Sequence, residues 1–256
     1  MQNKPYSALA ASSQLAPTKA NFPALELLLP CSEATGAQSL TDSIHGSVLV
    51  TTGAVTNNGD GTLTSTAIWN ATTTGGVSNV PAPNGKHVLM FLLGKNDSTA
   101  GILLRVGKIT AATDLGFSLA SSATSPVSTA TDGTTLEAGP ASSAGDGAVS
   151  SWAASFQFGS ATGLNVYKVN GAASTIATYA ASAGVGDLSA IASPASLPAN
   201  ELQISFHANP ALAVVMYFTT LPSAAMIKRA LVWMHNNTLV NSAHNKTVWP
   251  GFKGMS

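Results

Sequence analysis

Trp152-Ala153-Ala154-Ser155-Phe156-Gln157-Phe158 decides the fold class, because its three aromatic residues all fall on even positions and so share one face of an extended chain. Large rings on one side, with Ala, Ser and Gln on the other, describe a strand half-buried against a second layer. A little downstream, Tyr167-Lys168-Val169-Asn170-Gly171 ends an apolar run on Asn-Gly, the pair that most readily supplies the positive φ angles of a type I′ turn. This predicts a tight hairpin. Working outward, strand-sized runs recur at residues 25–29, 47–50, 63–69, 87–93, 102–106, 164–169, 202–207 and 213–218, separated by Gly, Pro, Asn and Ser. Asn58-Gly59-Asp60-Gly61 is a second, looser hairpin signal. Many short strands with no repeating helical element predict an all-β chain folded as an antiparallel β-sandwich or jelly roll.

One segment departs from that pattern. After Pro222-Ser223, residues 224–234 place apolar side chains at helical spacing behind a good N-cap, which predicts one short C-terminal helix. Residues 121–149 and 180–200 are rich in Ser, Ala, Gly, Thr and Pro and read as long surface loops. Residues 1–23 carry Pro5, Pro17 and Pro23 amid small polar residues and read as an extended N-terminal arm, leaving 24–256 as one domain.

Composition narrows the function classes. Eleven basic and eleven acidic side chains cancel, and only 9% of residues are charged, so nothing in the chain would steer a nucleic-acid backbone toward it. Apolar residues reach 45%, which sets the chain apart from disordered segments of low hydropathy and high net charge. Cys31 stands alone, so no disulfide forms within the chain. Ser12, Ser13, Gln14, Pro17 and Thr18 interrupt any apolar core of a secretion signal, and no stretch is long and apolar enough to enter a membrane. The expectation is a soluble protein made in a cytoplasm.

The order of four pieces resembles the concanavalin A-like lectin/glucanase superfamily, in particular the LamG-type domains of bacteriophage virion structural proteins. Leu27-Leu28-Leu29-Pro30-Cys31-Ser32-Glu33-Ala34-Thr35-Gly36 followed by Leu40-Thr41-Asp42 resembles the family's first strand and its T-D-x-S/G turn. Val166-Tyr167-Lys168-Val169-Asn170-Gly171 resembles its Y-V-N-G hairpin. Leu202-Gln203-Ile204-Ser205 with Val214-Val215-Met216-Tyr217-Phe218-Thr219-Thr220-Leu221-Pro222 resembles the late strands. Residues 227–234 with Val248-Trp249-Pro250-Gly251-Phe252-Lys253-Gly254 resemble the closing helix and its Y/W-P-G-W/F segment. The resemblance spans roughly residues 25–254 and implies two packed antiparallel sheets, a concanavalin A-like jelly roll. Fold alone does not assign function, because sandwiches host lectins, hydrolases and packing modules alike.

The residues that could carry chemistry argue against catalysis. A glycosidase needs two carboxyl groups at a fixed short separation. The superfamily's E-x-D-x-x-E pattern is absent, and the acids are spread from Glu26 to Glu201, which reads as solvated turns. His45, His87, His207, His235 and His244 form no H-x-x-x-H or H-E-x-x-H pair, and there is no G-x-S-x-G elbow. Asn57, Asn58 and Asp60 are a compact oxygen source but carry one charge, so they read as a turn and not as a calcium site. No metal and no cofactor is expected. Among Trp69, Tyr179, Trp233 and Trp249, Trp69 beside Asn70 is the candidate for a glycan contact, while Trp233 and Trp249 read as packing residues.

The resulting expectation is a non-enzymatic bacteriophage virion structural protein, associated with tail or baseplate, whose partners are other virion proteins, copies of itself and a host-surface glycan. A capsid decoration protein of the head is the alternative, followed by a glycan-processing enzyme or lectin of the same fold. In the virion reading, Tyr6, Leu9, Leu15 and Phe22 of the arm are the candidate assembly contacts.

Overall fold

The computed structural model describes residues 23–30, 40–52, 56–57, 63–64, 69–73, 78–95, 102–121, 128–140, 149–169, 176–179, 185–197, 201–206 and 212–231. In chain order the strands are β1 (Leu25–Pro30), β2 (Leu40–Thr41), β3 (Val48–Thr52), β4 (Thr56–Asn57), β5 (Leu63–Thr64), β6 (Trp69–Thr73), β7 (His87–Lys95) and β8 (Ile102–Gly107). They continue as β9 (Leu115–Ser121), β10 (Thr129–Asp132), β11 (Leu136–Ala138), β12 (Val149–Phe156), β13 (Leu164–Val169), β14 (Ile176–Tyr179), β15 (Leu202–Phe206) and β16 (Leu212–Phe218). One helix, α1 (224–231), follows.

The strands form a six-stranded sheet in the order β1-β16-β7-β12-β13-β14 and an eight-stranded sheet in the order β11-β10-β9-β8-β15-β6-β3-β2, with β4 and β5 paired separately. Every pairing in the two sheets is antiparallel. The architecture is the expected β-sandwich. Trp152, Ala154, Phe156 and Phe158 belong to one buried cluster with Leu104, Val106, Phe117, Leu119, Leu202 and Ile204 of the other sheet, so the rings do share the core face. The Phe117 ring lies 6.0 Å from Phe156 and 6.2 Å from Tyr217, which ties the two sheets through aromatic contacts. Each such ring, fully withdrawn from water, stabilises the fold by about 1.5–3 kcal/mol.

A second buried cluster lies on the outer face of the six-stranded sheet. Leu28, Leu89, Phe91, Leu93, Ala153, Tyr167, Val214 and Met216 pack there with Ile227, Ala230 and Leu231 of α1. The helix therefore covers this face. Its start is set by Ser223, whose carbonyl accepts the Ile227 N–H at 3.0 Å and whose hydroxyl accepts the Met226 N–H at 3.4 Å. Residues 232–234 of the expected helix lie outside the described residues.

Three expectations about local structure are corrected. Residues 121–149 are not one long loop: β10 and β11 form within them and extend the eight-stranded sheet beyond β9. The run Thr129-Ala130-Thr131 is too short and too small to announce a strand, and it is fixed by neighbours already in place. In the segment 180–200, the described part is no surface loop, since Leu188, Ile191 and Leu197 enter the main core. The Ala192 N–H donates to Asp132 Oδ2 at 3.1 Å and the Ser193 hydroxyl to the Lys86 carbonyl at 2.7 Å, pinning that segment. Finally, β13 and β14 pair with Val169 opposite Ile176, whereas a two-residue turn at Asn170-Gly171 would set Val169 opposite Ala172. Residues 170–175 connect the two strands and, with the Asn-Gly pair, lie outside the described residues. The looser signal fares better, because β4 and β5 flank it with Asn57 opposite Leu63.

Candidate functional site

Carboxylates and an imidazole meet beside β1, the last described strand of the six-stranded sheet. The Asp42 N–H donates to the Ser47 carbonyl at 2.9 Å and the Gly46 N–H to the Asp42 carbonyl at 3.0 Å, closing the connection between β2 and β3 into a tight turn. Gly46 sits at φ 70°, the left-handed conformation that glycine adopts without strain. Asp42 is buried: its Oδ1 accepts the Leu28 N–H at 3.0 Å and the Ile44 N–H at 3.1 Å, and its Oδ2 accepts the His45 N–H at 2.8 Å. In return the Ser43 N–H donates to the Leu28 carbonyl at 3.0 Å.

Beside this turn, His45 Nε2 donates to Glu26 Oε2 at 3.0 Å, and Glu26 is itself buried where β1 bulges between Leu25 and Leu27. The Asn79 N–H donates to Ser47 Oγ at 2.9 Å and its side-chain amide to the His45 carbonyl at 3.3 Å. The Tyr217 hydroxyl donates to the Pro81 carbonyl at 2.7 Å. Burial, and secondarily the charge of Glu26, push the Tyr217 phenol well above its ordinary range.

A carboxylate-oriented imidazole is the couple that general acid–base chemistry uses. Here, however, both Asp42 oxygens are engaged by main-chain donors, and the groups around them hold the turn to the strand. Glu26 and Asp42 correct the expectation that the acids occupy solvated turns. Sixteen residues separate them in sequence, and only the folding of the turn back onto β1 unites them, so spacing could not reveal the cluster.

Other acids do act as turn residues. The Thr110 hydroxyl, 2.7 Å from Asp114 Oδ2, is the main cause that lowers the Asp114 carboxyl to about 2, helped by the Ala111 and Thr110 N–H groups and the Lys108 charge. At Asp132, partial burial raises the carboxyl, but hydrogen bonds from Thr135, Thr134 and Ala192 outweigh it and leave it lowered. Asp187 is lowered by its hydrogen bonds to Ser189.

The second polar region is the outer face of the eight-stranded sheet. Strand register aligns Val50, Thr72, Gln203, Arg105, Ser118 and Thr129 in one row across β3, β6, β15, β8, β9 and β10. Arg105 Nη2 donates to Glu201 Oε2 at 2.6 Å, while Arg105 Nε and Ser118 Oγ are buried and have no hydrogen-bond partner among the described residues. Val48 and Val50 are exposed at the end of this face. The sequence signal was a single arginine inside the otherwise apolar β8.

Trp69 and Asn70 lie in β6 beside that row. Trp69 is opposite Phe206, and Asn70 is opposite Ser205 on one side and Thr52 on the other. Tyr6, Leu9, Leu15 and Phe22 lie outside the described residues, as do Asn58, Asp60, Trp233 and Trp249. Among the described residues no group of three or more His, Cys, Asp and Glu side chains is placed to hold a metal ion. No described helix is long and apolar enough to cross a membrane.

No family model and no curated protein matches the chain. Among solved structures it is similar to domain 4 of a GH43 extracellular arabinanase from Geobacillus stearothermophilus, in complex with arabinotriose. The identity is 10% and the TM-score 0.43, over 75% of this chain and 92% of that one. It is also similar to the binding domain of botulinum neurotoxin DC in complex with rat synaptotagmin II, at 13% identity and TM-score 0.47, over 85% of this chain and 52% of that one. This chain thus matches about half of the neurotoxin binding domain. A third is the basic winged bean lectin with Tn-antigen, at 12% identity and TM-score 0.34, over 76% of this chain and 92% of that one. With TM-scores of 0.47 and below, these likenesses add nothing to the fold that strand order and register already establish.

Proposed function

We propose that this chain is a non-enzymatic structural module of a bacteriophage virion, associated with the tail or baseplate, that packs against other virion subunits and touches host-surface glycan. The observation that carries the non-catalytic part is the use made of the acids. Asp42 is spent on three main-chain N–H groups, Glu26 is bound to His45 inside the fold, Glu201 holds Arg105, and Asp114, Asp132 and Asp187 hold turns. Carboxylates committed in this way serve architecture.

The virion part rests on the order of motifs that resembles LamG-type phage domains, together with the composition of residues 1–23. A glycan contact would fall on the outer face of the eight-stranded sheet at Asn70, two residues along β6 from Thr72 in the row through Gln203 and Arg105, whereas Trp69 occupies the register of the opposite face, that of Ala71 and Ile204. Decoration of the capsid head is the second reading, favoured by the same arm and the same cancelled charge.

Two measurements test the proposal. Incubation of the purified protein with a broad polysaccharide panel should release no product; hydrolysis lost on Glu26→Gln or Asp42→Asn substitution would overturn the non-catalytic reading. Deletion of residues 1–21 should leave the melting temperature nearly unchanged and abolish incorporation into particles. Normal incorporation of the shortened chain would remove the assembly role from Tyr6, Leu9, Leu15 and Phe22.

A further inference from the structure

We infer, resting on the glycan contact proposed above, that Arg105, Ser118, Gln203 and Glu201 form a subsite for a neutral, hydroxyl-rich sugar and discriminate against acidic ones. Register sets Arg105 between Gln203 of β15 and Ser118 of β9, all on the outer face of the eight-stranded sheet. The adjoining row on that face runs through Asn70, Ser205, Leu103 and Ala120.

Two hydrogen-bonding groups are left over there. Arg105 commits Nη2 to Glu201, but its Nε and the Ser118 hydroxyl are buried and find no partner among the described residues. Ser118 is 1% exposed, and a buried polar group without a partner costs stability until something binds it. Residues directly opposite on antiparallel strands stand about 5 Å apart at Cα, so one oxygen between the two side chains can serve both. The way in is not sealed. The Arg105 and Glu201 side chains are 17% and 40% exposed, and the unpartnered Nε belongs to the same planar group as the Nη2 that reaches Glu201.

Charge decides the class of ligand. Arg105 and Glu201 cancel each other at 2.6 Å, and the next charges along these strands, Lys108 and Asp114, cancel at 3.4 Å. A carboxylated sugar would have to take Arg105 from Glu201 and leave that acid without its counter-ion. A sugar hydroxyl makes no such demand: its oxygen accepts the Arg105 Nε–H while its hydrogen goes to Ser118 Oγ, and neighbouring hydroxyls serve the Gln203 amide and Glu201. Half-buried Leu103, in the adjoining row, offers apolar surface to the C–H side of the ring.

Affinity electrophoresis of the full chain tests this, with dextran or a neutral galactan in one set of gels and alginate or polygalacturonate in another. The expected result is retardation by at least one neutral polymer and by neither acidic one. Ser118→Ala should weaken that retardation about fivefold at an unchanged melting temperature, because the fold makes no use of the hydroxyl. Stronger retardation by an acidic polymer overturns the class of ligand. A Ser118→Ala protein that binds as the parent does overturns the subsite, and so does a fall of several degrees in its melting temperature, which would assign the hydroxyl to a buried water that the fold needs. Asn70→Ala separates the subsite from the glycan contact itself. Retardation lost with Asn70→Ala but kept with Ser118→Ala leaves the contact and removes the subsite, whereas no retardation by any of the four polymers removes both.

Discussion

The six-stranded and eight-stranded sheets share one core yet differ in what lies on their outer faces. β16 is buried along its whole length, because Ala213, Val215 and Tyr217 enter the core between the sheets while Val214, Met216 and Phe218 lie on the face that carries α1. β3 instead alternates: Leu49 is fully buried, whereas Val48 and Val50 are 49% and 42% exposed. A sheet covered on both faces is committed to stability. The outer face of the eight-stranded sheet is open at β3, whereas further along the same row Ser118 and Thr129 are buried.

This contrast predicts a gradient of mutational cost. Phe91, at the centre of the helix-covered face and fully buried, should cost about 3–5 kcal/mol when replaced by Ala, read as a lowered midpoint in urea. A change within about 0.5 kcal/mol would mean that this face is solvated and that the two sheets do not differ as described. Ile227→Ala tests the cover itself and should cost about 2 kcal/mol, the low end for a buried aliphatic.

The same contrast explains how much was legible in the sequence. The rings of Trp152, Phe156 and Phe158 alternate with small residues and announce a strand, and residues 224–231 announce a helix by spacing and N-cap. By contrast, 87–93 reads as an unbroken apolar run, and only the structure shows that alternate residues, Leu92 and Leu93 for example, enter two different clusters. β10 and β11 were illegible because Ala and Thr carry little pattern; their place is set by pairing with β9. Little of the candidate site was legible, since Asp42 gains its meaning from Leu28, fourteen residues away and in another sheet. Trp69 and Asn70 were legible as a pair of residue types, and the register that sets Asn70 on the face of Gln203 and Arg105 and Trp69 on the other was not.

Acid should act on the turns. The Asp114 carboxyl is held at about 2, below its ordinary 3.8, and Asp132 and Asp187 are lowered as well. A lowered carboxyl favours the folded state while ionised, so this contribution is complete above the ordinary value and disappears as pH falls toward about 2. The melting temperature should therefore drop between those limits, and Asp114→Asn should flatten the drop. A melting temperature that rises on acidification would contradict the assignment. The smallest effect belongs to the open face, where Val50→Thr should change stability by no more than about 0.5 kcal/mol, since a half-exposed side chain gives up little on losing a methyl group. A loss of several times that size would show that β3 is covered in the folded protein.

The claim that this chain is a building element of a particle is tested most directly by electron microscopy of assembled particles carrying it. The account predicts density for the sandwich at the tail or baseplate, with residues 1–23 lying against neighbouring subunits and no segment crossing a membrane. Purified particles that contain no copy of the chain, while the protein acts on a glycan free in solution, would contradict it.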